Sequence, residues 1–294
     1  MFFVRQAKSD AAPEIDDAPK PEAPAALARP RQQIYLGGFR ALTSLFSGHK
    51  IFVDTRDVGI AAHLLWEGRW EPWIDHHVLD AIKDGMTVCD VGASFGYYTL
   101  LMADRVGARG RVYAFEPNPG VATLLRQSVA VNGFSSRVEV QAIALGDKEE
   151  QLFLHVDPAF QGGAFLDSFA EAKGLVTTAV PVRRLDEFLP PDIAIDFLKV
   201  DVEGFEDAVM AGAGAVLHNP ALKGALLEFR RDSEEIGSLP SYIKALFGRG
   251  MTAMVLEPDG PHPLPDLEAV LAIPRGHLTN ILFRAPENCA SPAP

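Results

Sequence analysis

The stretch Val88-Cys89-Asp90-Val91-Gly92-Ala93-Ser94-Phe95-Gly96-Tyr97-Tyr98-Thr99 decides how the rest of the chain reads. Residues 87–91 are short and apolar, as a buried strand is, and they run into a turn headed by an acid with glycines at 92 and 96. Helical patterning follows over 96–106. Moving outward, residues 111–115 and 138–143 read as further strands, with a helix over 120–132 stopped by Gly133. This β-α-β-α-β order predicts a parallel sheet covered by helices on both faces. The alternation lapses over 146–191. There, 151–156 and 176–182 read as strands around a Gly-rich loop at Gln161-Gly162-Gly163, an inserted hairpin or flap. It resumes with a strand at 196–200, a helix at 205–213, a strand at 225–229 and a helix at 241–248. Residues 251–257 and 280–283 complete an antiparallel edge. Upstream, 49–54 reads as a short strand, and 59–66 and 72–83 as helices. The expected fold class is α/β, a doubly wound, mostly parallel, seven-stranded sheet.

Open α/β sheets bind ligands beyond the carboxyl ends of their strands, where strand order reverses. A glycine turn into a helix N-terminus suits many nucleotide-like ligands. Dinucleotide sites place G-x-G-x-x-G here, whereas this turn has no glycine at 94 and carries Asp90. A carboxylate there suits a ligand with a cationic end, such as the amino group of S-adenosylmethionine; the alternative is that Asp90 only orders the turn. Glu116 ends the next strand about 20 residues on, where an acid can accept two ribose hydroxyls. At the third strand exit, Ile143 or Leu145 can pack on an adenine ring and Asp147 can accept its amino group, or Gly146-Asp147 simply closes a turn. Asp196-Phe197-Leu198-Lys199-Val200-Asp201-Val202-Glu203-Gly204 is a strand ending on two carboxylates. Glu203 reads as a helix cap and Asp201 as facing the ligand crevice. Lys199 shares a face with Phe197 and Asp201 and reads as an ion-pair partner.

The bulk properties narrow the class. A net charge of -12 over 294 residues, with no Lys/Arg-rich run, argues against nucleic-acid partners. Two cysteines, Cys89 and Cys289, provide neither a disulfide framework nor a zinc spacing, and adjacent His76 and His77 cannot share one helical face. No metal is expected. No apolar run approaches the roughly 20 residues a membrane span requires, and the short apolar start is not a signal peptide, so a cytoplasmic location is expected. Residues 1–33, rich in Ala, Pro and acids, read as a disordered tail. Residues 34–84 form a lead-in, 85–285 the main domain and 286–294 a second tail.

Five segments together resemble the FkbM family of methyltransferases: Gly68-Arg69-Trp70-Glu71-Pro72, Asp90 to Thr99, Val112-Tyr113-Ala114-Phe115-Glu116-Pro117, Ala144-Leu145-Gly146-Asp147, and Leu198 to Glu206. The resemblance runs from about Val53 to Arg284, with the motifs in order. It implies a Rossmann-like class I methyltransferase fold, S-adenosylmethionine as methyl donor, and methylation of a hydroxyl on a saccharide or secondary metabolite. The cofactor-binding residues it implies are Asp90, Gly92, Ala93, Ser94, Gly96, Tyr97, Tyr98, Thr99, Glu116, Pro117, Ala144, Leu145, Asp147 and Asp201. Ser94 stands where the family often has Asn. Asp201 is the first candidate for general base, with His76 and Glu228 behind it. A small-molecule or glycan acceptor is expected. Two other readings stay open: an NAD(P)-dependent oxidoreductase, favoured by Glu116 alone, and an inactive methyltransferase-fold interaction module.

Overall fold

The computed structural model describes residues 32–231 and 239–286; the two expected tails, and Cys289 with them, fall almost wholly outside these residues. The lead-in begins with an antiparallel sheet of β1 (Ile34–Gly37), β2 (Arg40–Ser44) and β3 (Lys50–Asp54). Only β3 was legible in the sequence, because the residues of β1 are largely exposed and show no buried alternation. Helices α1 (Ile60–Trp66) and α2 (Pro72–Ala81) follow. Pro72 suits the first turn of α2, where a missing N–H costs nothing.

The central layers then build as read: β4 (Thr87–Val91), α3 (Tyr97–Arg105), β5 (Arg111–Phe115), α4 (Pro119–Val131) and β6 (Val138–Gln141). Asn118 caps α4, its Oδ1 accepting from Gly120 N at 3.0 Å. The insertion is larger than a hairpin. Strands β7 (Ala144–Leu145), β8 (Glu150–Asp157), β9 (Phe160–Asp167) and β10 (Val176–Arg183) form a separate sheet in the order β7-β10-β8-β9. The stretch around Gly162-Gly163 is not a loop but the middle of β9. Its glycines removed the side-chain pattern by which a strand is recognised.

The chain continues through α5 (Leu185–Phe188), β11 (Phe197–Val200), α6 (Glu206–Ala211), α7 (Gly214–His218), β12 (Gly224–Arg230), α8 (Ser241–Gly248), β13 (Thr252–Glu257), β14 (Gly260–Leu264), α9 (Leu267–Ala272) and β15 (Leu278–Arg284). The main sheet has the order β6-β5-β4-β11-β12-β15-β13-β14. Among its hydrogen-bonded pairs, β6 to β12 run parallel and β15 is antiparallel to both neighbours. It has eight strands rather than the expected seven. The extra one, β14, is an edge partner of β13 that carries Pro261 and Pro263, residues that argue against a strand unless it lies at an edge. The fold is thus α/β and doubly wound, and its strand order reverses between β4 and β11.

Period-2 alternation divides the sheet between two cores. Val88, Val112, Ala114, Phe197 and Leu226 pack with α2, α3 and α4 on one face. Cys89, Val91, Phe115, Leu198, Val200 and Leu227 pack with α5 to α9 on the other. Parity therefore sends Asp90 and Lys199 into the first core, opposite each other in the β4–β11 register.

Candidate active site

The register of the parallel strands assembles the site. Strands β6, β5, β4, β11 and β12 end along one edge, and an open cleft runs along it. Its floor includes Val91, Gly92, Ser94, Phe115, Glu116, Pro117, Ala144, Leu145, Asp201 and Glu228. Ile60, Trp70 and Glu71 from the lead-in, and Gln161, Gly162, Ala164 and Leu166 from the inserted sheet, wall it from the other side. Asp57 ties these two walls together. Its carboxylate accepts from Ala61 N at 2.7 Å and from Gln161 N at 2.7 Å.

Gly92 has φ 78°, and a Cβ there would lie 1.7 Å from the Asp201 carbonyl oxygen. Only glycine lets the β4 and β11 loops approach this closely. Gly96, at φ 99°, faces Leu125 in the same way, with a Cβ 2.2 Å from Cδ1. Glu116 is buried and bridges the turn: Oε2 accepts from Ser94 N at 2.8 Å and Oε1 from Asn118 N at 2.8 Å. Burial raises its pKa to about 7 against the pull of these two amides. Each oxygen keeps a further lone pair for a ligand hydroxyl.

Several expected contacts belong to the protein interior instead. Asp90 is fully buried and does not reach the cleft. Its Oδ2 accepts from Thr99 Oγ1 at 2.6 Å, and Lys199 Nζ lies 3.7 Å from its Oδ1. Burial pushes Asp90 upward, opposed by Lys199 and Thr99. Parity explains this placement: Asp90 is the penultimate strand residue and points under α3, not over the strand end. Thr99 is occupied with Asp90, and the Tyr97 hydroxyl donates to Asp75 Oδ2 at 2.9 Å in the core. Tyr98 is buried, with Lys199 Nζ 5.3 Å from its ring centroid and its hydroxyl 3.4 Å from Glu71. Ala93 and Gly96 shape the turn without lining the cleft, and Asp147 is exposed outside it, its carbonyl accepting from Arg184. His76 is also outside, exposed on α2 and stacked on His77. Glu203 does not cap α6, which has no side-chain cap; Glu206 instead secures the preceding loop, its Oε1 accepting from Val202 N at 3.0 Å and Gly204 N at 3.1 Å.

At the other end of the cleft the pairing Val200↔Leu227 sets the next residues, Asp201 and Glu228, side by side. Asp201 Oδ2 accepts from Lys199 Nζ at 3.1 Å. Burial pulls the Lys199 ammonium down, but Asp201 and Asp90 outweigh it and hold the group above its ordinary pKa. Burial and the charges of Asp201, Glu203 and Glu206 push Glu228 up to about 9. Burial and Asp201 push Glu71 to about 7, and the same two causes do so for Glu203. Glu71 escaped assignment in the sequence although it stands in the Gly68–Pro72 segment. Its one local signal was an acid placed directly before a helix-starting proline.

Five carboxylates, Glu71, Glu116, Asp201, Glu203 and Glu228, line the cleft, and no Lys or Arg does among the described residues. Such a wall repels a pyrophosphate and favours a cationic ligand. With Ile143, Leu145, Phe115 and Pro117 forming an apolar end, it fits S-adenosylmethionine, which joins an adenine and ribose to a sulfonium and an ammonium. The fold and this cleft define a class I methyltransferase architecture. A family model for the methyltransferase FkbM domain matches residues 90–250, more than half of the chain, and the chain belongs to that family.

Two curated relatives match shorter stretches. A protein-L-isoaspartate O-methyltransferase of Aeropyrum pernix is 39% identical over 73 residues, covering 25% of this chain and 27% of its own. One from Methanococcoides burtonii is 34% identical over 55 residues, covering 19% and 27%. The chain thus spans about a quarter of the length of these relatives. Among solved structures, methyltransferase FkbM from Methylobacillus flagellatus is 18% identical with a TM-score of 0.45, covering 69% of this chain and 44% of its own. No helix among the described residues is long and apolar enough to cross a membrane.

Proposed function

We propose that the protein transfers a methyl group from S-adenosylmethionine to a hydroxyl of a saccharide or secondary metabolite. The observation that carries this reading is the Glu116 bridge, a buried carboxylate held by two backbone amides at the mouth of the glycine turn. When bound, S-adenosylmethionine supplies a methyl group already activated on a cationic sulfur. Glu116 and Ser94 bind its ribose side, the Gly92 loop allows close approach, and Ala144, Leu145 and Pro117 flank the adenine. Asp90 acts at one remove, holding Lys199 and through it Asp201. Alignment of the reacting atoms contributes the larger share, on the order of 7–11 kcal/mol. The acceptor hydroxyl gives up its proton to Asp201, beside which Glu228, pushed up by burial and by its acidic neighbours, keeps its own. The acceptor is a small molecule or glycan rather than nucleic acid, given the carboxylate-lined cleft. The acidic surface and scarce cysteines support a cytoplasmic setting.

Calorimetric titration with S-adenosylhomocysteine and, separately, with NADH tests the donor assignment. S-adenosylhomocysteine should bind, and Glu116→Ala should weaken it at least about tenfold, as loss of hydrogen bonds to a charged group does. Binding of NADH alone would replace this reading with the oxidoreductase one. Asp201→Asn should abolish methyl transfer to a panel of sugar hydroxyls while largely sparing S-adenosylhomocysteine binding.

A further inference from the structure

The β11 and β12 ends carry more acid than proton transfer from one hydroxyl requires. One oxygen from each of Asp201, Glu203 and Glu228 lies within 4.8 Å of the other two. Three facts distinguish this cluster from a solvated acidic patch. Glu228 is only 9% exposed, lines the cleft, and has no hydrogen-bond or ion-pair partner among the described residues. Lys199 is committed to Asp201 Oδ2 and to Asp90, and no ion pair to Asp201 Oδ1, Glu203 or Glu228 occurs among the described residues. Glu203 projects from a left-handed backbone position, φ 55°, into the same cleft, while Glu206 secures the loop that carries it. Three carboxylates this close in a half-buried cleft disfavour one another's ionisation unless a cation sits among them.

We infer that Asp201, Glu203 and Glu228 form a binding site for a hard divalent cation, Mg²⁺ or Mn²⁺, at the acceptor end of the cleft. An all-oxygen donor set without Cys or His favours these ions over zinc. Three ligands from one side leave coordination positions facing the cleft, open to water or to the hydroxyl oxygens of an acceptor. Such a site is not legible in the sequence, because its ligands come from a loop and a strand joined only by sheet register. Cys/His spacings cannot reveal that arrangement. The inference rests on the methyltransferase reading for the word acceptor, but cation binding is testable without it.

Chelator-treated full-length protein should be titrated with Mn²⁺ alone, following loss of the free-ion electron paramagnetic resonance signal, with S-adenosylhomocysteine titrated in parallel. One saturable Mn²⁺ per chain is expected, displaced by Mg²⁺, and weakened at least about tenfold by either Glu203→Gln or Glu228→Gln. Glu268→Gln, an exposed acid on α9, should leave it unchanged. No saturable binding to the wild-type protein, or equal binding by both cleft variants, overturns the inference. S-adenosylhomocysteine binding without Mn²⁺ binding sinks the cation site and leaves the donor reading standing. Mn²⁺ binding without S-adenosylhomocysteine binding does the reverse.

Discussion

Lys199 is the one Lys or Arg that is buried among the described residues, and it answers two carboxylates at once. Lys199→Met would leave Asp90 and Asp201 without their counter-charge, and removing one partner of a buried pair costs about 3–5 kcal/mol. Urea denaturation should show that loss, and Asp90→Asn in the same background should recover part of it. Gly92→Ala belongs to the same scale: a Cβ 1.7 Å from a backbone carbonyl cannot be relieved by a rotamer change. Overpacking of this kind costs roughly 1–3 kcal/mol. The variant should melt lower and lose S-adenosylhomocysteine affinity, whereas an Ala at exposed Gly133 would report only the backbone effect. The sequence made the acids at strand ends visible, but not which way they point. Asp90 and Asp201 look alike as strand-terminal carboxylates. Both share one face of the sheet, but Asp201 stands two register positions further along, past the end of β11 and level with Gly92, so it reaches the cleft while Asp90 stays in the core.

At the scale of elements, the central β-α repeat was legible because each strand is short, apolar and followed by a glycine or a capping residue. The inserted sheet was not, because β9 reads Phe-Gln-Gly-Gly-Ala-Phe-Leu-Asp and its exposed and half-exposed residues give no core face. Its position depends on tertiary bonds, chiefly Asp57 to Ala61 and Gln161, supported by Val58 N donating to Ala159 O at 2.9 Å. Asp57→Ala should therefore loosen the wall and not the sheet below it. Hydrogen exchange at the Gln161 amide should accelerate, while exchange in β4 and β11 stays unchanged. Acceptor KM should rise more than S-adenosylhomocysteine affinity falls. Equal protection at Gln161 in both proteins would show that β9 is held by other contacts.

For the whole molecule, the carboxylate-lined cleft makes stability depend on pH with a definite sign. Glu71 and Glu116 have folded pKa values of about 7 against an ordinary 4.5, raised first by burial. A raised acid contributes stability that is fully present below its unfolded pKa and lost as pH rises through its folded pKa. The ligand-free protein should therefore melt at a lower temperature at pH 8 than at pH 6, measured at constant ionic strength. S-adenosylhomocysteine, whose ammonium offsets part of this charge, should shrink the difference. A melting temperature that is flat or rising across that interval would show that these acids are not buried as the structure has them.

The two-part construction of the cleft has a consequence for how such a protein diversifies. Its floor is tied to the register of five parallel strands, where a one-residue slip would turn every side chain over. Its roof comes from the lead-in and from an inserted sheet joined to it through Asp57 and the Val58–Ala159 backbone bond, both outside that register. Exchanging residues 147–191 between relatives should then retarget the acceptor as a graft retargets a rootstock, with the donor chemistry passing unchanged beneath it.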